Sequence, residues 1–74
     1  MTPRDIIIDA IQAAGKVGQT TIDAGIVLAH YCGWLSHPFS MGVSIVRQLG
    51  RDGLIREAGF ERDGEAVYVW GKHG

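Results

Sequence analysis

Seventy-four residues, 46% hydrophobic and 20% charged with a net charge of −1, describe an ordered globular chain with room for a single domain, 1–74. A chain of this size buries only about 60% of the surface its unfolded form exposes, so its stability margin is small. The near-zero charge predicts weak non-specific binding to nucleic acid, because that affinity grows with the phosphates neutralised; any such function must come from a local cluster.

Thr2-Pro3-Arg4-Asp5 predicts a helix start. Thr2 can cap, Pro3 suits the first helical position, and Asp5 stands where a capping-box acid answers the cap. Ile7, Ala10, Ile11 and Ala14 then recur at helical spacing, with Asp5, Asp9 and Gln12 opposite and Gly15 as the stop. Ile6 and Ile8 widen the apolar face beyond the need of one neighbour. Lys16 to Gln19 is a connector able to supply a short strand.

A second helix is expected from Thr20 or Thr21, with Asp23 in its first turn, to Tyr31 or Cys32, ended by Gly33. From Ala24 to Leu35 it carries no Asp, Glu, Lys or Arg. A helix apolar all round is buried all round or meets a partner. A fold this small cannot enclose every one of Ile22, Ile26, Val27, Leu28, Tyr31, Trp34 and Leu35. Homodimerisation through Ile8, Ile26, Tyr31 and Trp34 is therefore expected.

Trp34 to Pro38 turns the chain, and Pro38 opens a third helix that ends at Asp52-Gly53. In this segment the residue types separate cleanly. At about 100° per residue, Gly42, Ile45, Val46 and Leu49 share one face, while Ser40, Ser44, Arg47, Gln48 and Arg51 share the other. The second face holds guanidinium, amide and hydroxyl groups and no carboxylate, with Asp52 at its flank. Arg and Gln make paired hydrogen bonds to base edges, and Ser and Arg reach phosphates. Such a helix, about 40–52, fits a DNA major groove.

Leu54 to Phe60 and Glu65 to Trp70 read as strands around Arg62-Asp63-Gly64, where the Asp-Gly pair signals a hairpin. Ala66, Tyr68 and Trp70 alternate with Val67 and Val69, so both strand faces are apolar. Residues 71–74 form a short tail.

Three helices and a hairpin make an α+β chain. Within it, Leu49-Gly50-Arg51-Asp52-Gly53-Leu54-Ile55-Arg56 resembles the junction of recognition helix and wing in winged helix-turn-helix proteins, such as repressors of the multiple-antibiotic-resistance and arsenical-resistance types. The resemblance covers the whole chain in element order and this segment in motif. It implies a three-helix winged helix-turn-helix with a C-terminal β-hairpin wing. It further implies a regulator of transcription that binds double-stranded DNA as a homodimer. Carried over by position, Ser40, Ser44, Arg47, Gln48 and Arg51 would face DNA, and Arg62 at the hairpin tip would reach a backbone or minor groove. The wing is acidic at Glu61, Asp63 and Glu65, and this, with the low net charge, favours the alternative of a winged-helix adaptor that binds protein.

Other chemistries find little in the pattern. His30, Cys32 and His37 form H-x-C-x₄-H, but structural zinc takes four Cys or His ligands and only His73 remains. His30 reads as a surface hydrogen-bonding group and Cys32 as a small core residue. No nucleophile, base and orienting group fall at a known spacing, and the glycines form no phosphate-cradling loop, so neither an enzyme nor a cofactor is expected. Trp34, Trp70, Tyr31 and Tyr68 read as packing, since the strands lack interleaved bases for a nucleotide-stacking platform. One cysteine permits no internal disulfide, and the start M-T-P-R-D-I lacks secretory features. A soluble cytoplasmic chain is the expectation.

Overall fold

The computed structural model describes residues 1–71. Helix α1 spans Pro3–Ala14, a 3₁₀ turn spans Gly15–Val17, α2 spans Thr21–Tyr31 and α3 spans Pro38–Arg51. An antiparallel hairpin follows, β1 Ile55–Arg62 and β2 Glu65–Trp70. The α+β order of three helices and a C-terminal hairpin is the one expected, and it is consistent with a winged helix. The expected tail beyond Gly71, with His73, lies outside the described residues.

Capping sets the first two helices. Thr2 Oγ1 accepts from the Asp5 N–H at 3.2 Å, and Asp5 Oδ2 accepts from the Thr2 N–H at 3.0 Å. Thr20 and Asp23 repeat the exchange at 3.1 and 3.0 Å at the start of α2. Each box satisfies N–H groups that a helix start leaves without partners, a contribution of about 1 kcal/mol per cap. Helix α2 ends at Tyr31, within the expected bounds, but by another means. Cys32, at φ −125°, closes the helix by donating its N–H to Leu28 O at 2.7 Å, so Gly33 is not the stop.

The end of α3 gives the Leu49–Ile55 motif its physical content. Gly53, at φ +76°, donates to Gly50 O at 3.1 Å, and Leu54 donates to Leu49 O at 3.1 Å. These two bonds form the Schellman arrangement, which needs a left-handed residue that glycine adopts without a Cβ clash. Leu54 then packs on the core and Ile55 enters β1 buried.

The core joins all three helices to the hairpin: Ile7 and Ile11 of α1, Ala24 and Leu28 of α2, Cys32, Ile45, Val46 and Leu49 of α3, and Ile55 of β1. Burying each large aliphatic side chain contributes about 1.5–3 kcal/mol before entropy is counted. Tyr68 and Trp70 pack against this cluster from β2. Ile8 does so as well, half-buried, so only part of its side chain is open to the expected dimer surface. Within α1 the predicted stripe divides: Ile7 and Ile11 are buried, while Ala10 and Ala14 are only half-buried.

The connector supplies the strand expected of it in its shortest form. Gln19 and Tyr68 exchange backbone hydrogen bonds at 2.9 and 2.8 Å, a single antiparallel bridge that lays the α1–α2 connection along β2. Gly18 precedes it at φ +67°, and a Cβ there would stand 2.5 Å from Tyr68 O. Only glycine fits that approach. Strand β1 runs two residues past the expected Phe60, and a bulge between Glu57 and Glu61 absorbs the register shift. The turn is Asp63-Gly64, both at positive φ (56° and 80°), as a two-residue hairpin loop requires.

Candidate nucleic-acid interface

The two faces of α3 separate as the spacing predicts. Gly42, Ile45, Val46 and Leu49 are buried; Ser40, Ser44, Arg47, Gln48 and Arg51 are all exposed. The helix is fourteen residues long, about 21 Å, and its polar row runs over most of that length. Its buried face rests on α2, where Gly42 and Gly25 bring the backbones together and the Phe39 ring lies over Gly25. The polar face is thus carried on a helix that packing fixes in place.

The disposition of the arginines separates this face from the rest of the surface. Among the described residues there are two ion pairs, Arg4–Asp52 at 3.2 Å and Arg62–Asp23 at 2.7 Å. Arg47 and Arg51 belong to neither. Asp52, the carboxylate at the flank of the face, is the one held by Arg4 from α1. Both groups of that pair are well exposed, so it contributes little to stability. Its effect is local: Asp52, which follows Arg51 in the chain, has a cation beside it. Nothing in the sequence around either residue announces a contact across forty-eight positions.

Arg62 requires a correction. It is the last residue of β1 and does not reach outward from the turn. Its guanidinium donates to Val17 O at 3.2 Å, to Gly18 O at 3.1 Å and to Asp23 Oδ2 at 2.7 Å. One side chain thereby ties the hairpin to the connector and to the start of α2. Partial burial pushes the Asp23 carboxyl up, but the Thr20 N–H and the Arg62 guanidinium outweigh it and hold the group below the ordinary carboxylate range. With Arg62 occupied, Glu61 and Asp63 are left exposed at the tip.

Two apolar residues escaped the sequence reading. Phe39 and Met41 are exposed on the first turn of α3 beside Ser40. Met41 stands three and seven residues before Ser44 and Gln48, on the same row, where a thioether suits contact with a thymine methyl.

The remaining expected sites come apart in space. Ile26, Tyr31 and Trp34 are exposed, but Ile26 and Tyr31 lie about 140° apart around α2, so they form no single surface. Cys32 is buried while His30 and His37 are exposed, and His30 packs edge-on against Tyr31 with ring centroids 4.7 Å apart. Among the described residues no three His, Cys, Asp or Glu side chains gather as metal ligands, and no helix is long and apolar enough to cross a membrane.

Comparison with protein-family models, with curated proteins and with solved structures finds no match to this chain.

Proposed function

We propose that this chain is a winged-helix protein of the cytoplasm that binds double-stranded DNA through α3 and regulates transcription without catalysing a reaction. One observation carries the reading: Arg47 and Arg51 stand exposed in a row with Ser40, Ser44 and Gln48, outside both ion pairs among the described residues. A solvated helix face that serves only solubility commonly mixes both signs, whereas this one has its flanking acid paired away on Arg4. In the major groove, the guanidiniums would bond guanine edges or phosphates, Gln48 an adenine edge, and the two serines the backbone. The hairpin would act as a short buttress beside the duplex, since Arg62 is occupied internally.

The acidic turn supports a second reading. Exposed Glu61 and Asp63 would repel a phosphate backbone, and they suit an adaptor that binds a basic protein surface. Selecting bound duplexes from a random pool, then measuring affinity against salt, separates the two. Sequence preference with a steep salt slope supports the regulator; no retention of any duplex at low salt supports the adaptor.

A further inference from the structure

On the side of α2 facing α1, the two helices leave an open trough of about 860 Å³ to which no α3 residue contributes. Ile6, Ala10, Ala13 and Ala14 of α1 form one wall, and Val27 and Tyr31 of α2, with Trp34 beyond it, form the other. The alanines keep the α1 wall low. Trp34 is 73% exposed, Tyr31 67% and Met1, at one end, 90%. Water therefore covers large apolar groups beside a cleft of matching character.

We infer that this trough is the contact surface for a second copy of the same chain, packed about a two-fold axis with Trp34 of each copy seated in the trough of the other. Three observations select that occupant. Projecting rings and receiving trough are neighbours on one surface, which is what a contact between identical patches requires. Covering Trp34, Tyr31 and Met1 removes on the order of 500 Å² per chain, more than half of the roughly 800 Å² that a stable interface buries on each side. Among the described residues Asp9 is the lone charged side chain along the lining, and each copy carries a net charge of only −1, so bringing two together meets little repulsion. A basic or acidic peptide would find one carboxylate to recognise. The inference stands apart from DNA binding, because the arginine row lies on α3 and stays open in the pair.

Sedimentation equilibrium across micromolar concentrations tests it in the absence of DNA. The wild-type chain is expected at twice the 8.0 kDa of one copy. Trp34→Ala removes the ring, and Ala13→Glu puts a charge on the trough wall at an exposed position. Both are expected to lose the dimer while keeping wild-type helicity, and to melt at a temperature that no longer rises with protein concentration. Ile26→Ser, on the other side of α2, is expected to keep it. A wild-type monomer throughout would overturn the inference, as would a dimer surviving in Trp34→Ala or Ala13→Glu, or one lost in Ile26→Ser.

Discussion

A Cβ added to Gly42 would stand 2.9 Å from the backbone nitrogen of Gly25, so α2 and α3 cross at two glycines with no room for a methyl group. The obstacle is backbone, which cannot turn aside as a side chain would. Gly42→Ala must push α3 off α2 and strain the buried row of Ile45, Val46 and Leu49 behind the arginine face. Overpacking of this kind costs about 1–3 kcal/mol, outweighing the better helix propensity of alanine. For a domain of this size each kcal/mol lowers the melting temperature by about 4–8 °C. Thermal unfolding of Gly42→Ala against Gly50→Ala, an exposed site with no atom near the added methyl, isolates the effect. A melting temperature for Gly42→Ala at or above wild type would contradict the crossing.

The arginine row makes a prediction in salt. If Arg47 and Arg51 each neutralise a phosphate, replacing either by alanine should weaken binding to a selected duplex and flatten the log–log salt slope by roughly one. Both side chains are exposed and outside the ion pairs among the described residues, so melting should change by less than about 0.5 kcal/mol. Equal affinity of wild type and double variant would remove the row from the interface.

Arg4 extends that prediction to a residue outside α3. Arg4→Ala leaves the Asp52 carboxylate uncompensated at the end of the row. Its DNA affinity should fall, and Asp52→Asn placed in the same chain should restore it. An Arg4→Ala loss that Asp52→Asn leaves untouched would instead make Arg4 a direct phosphate contact.

Asp23 gives the fold an acid limb. Its folded-state value lies below 3.8, the value it takes when unperturbed, so its contribution is complete above that point and is lost as pH falls through the folded-state value. Asp23→Asn should melt lower at pH 7, by about 1 kcal/mol once exposure of the pair is allowed for, and its melting temperature should fall less steeply below pH ~4 than that of wild type. Asp5, also held low, by the Thr2 N–H, keeps part of the limb in both proteins. Parallel acid limbs would show that Arg62 and Thr20 do not favour the ionised carboxylate.

What the sequence discloses follows from the range of each interaction. Helix α3 was readable because its two faces differ in polarity over fourteen residues, and the caps at Thr2 and Thr20 because each closes within three. The faces of α2 were hidden by their uniform apolarity, which gave periodicity nothing to act on. That is why Ile26 and Tyr31 looked like one surface. Arg62 was misplaced for the opposite reason: its partners Val17, Gly18 and Asp23 lie about forty positions upstream. A charge beside a turn looks exposed until the fold brings an acid to it.

Gln19 allows a test of the connector itself. Its backbone is fixed to Tyr68, but its Oε1 atom is shut off from solvent and meets no hydrogen-bond donor among the described residues. A buried acceptor left unmet costs about 1–3 kcal/mol, and an apolar side chain of similar shape avoids that cost. Gln19→Met keeps the backbone bridge and the length of the side chain. It should therefore raise stability by roughly 1 kcal/mol, a gain of about 4–8 °C in melting temperature. Gln19→Glu should do the reverse, because a carboxylate in the same position loses more hydration than an amide. Thermal melts of the three proteins at pH 7 decide the matter. If Gln19→Met melts below wild type, the amide is making a bond that holds the connector against β2, and its oxygen is not an orphan.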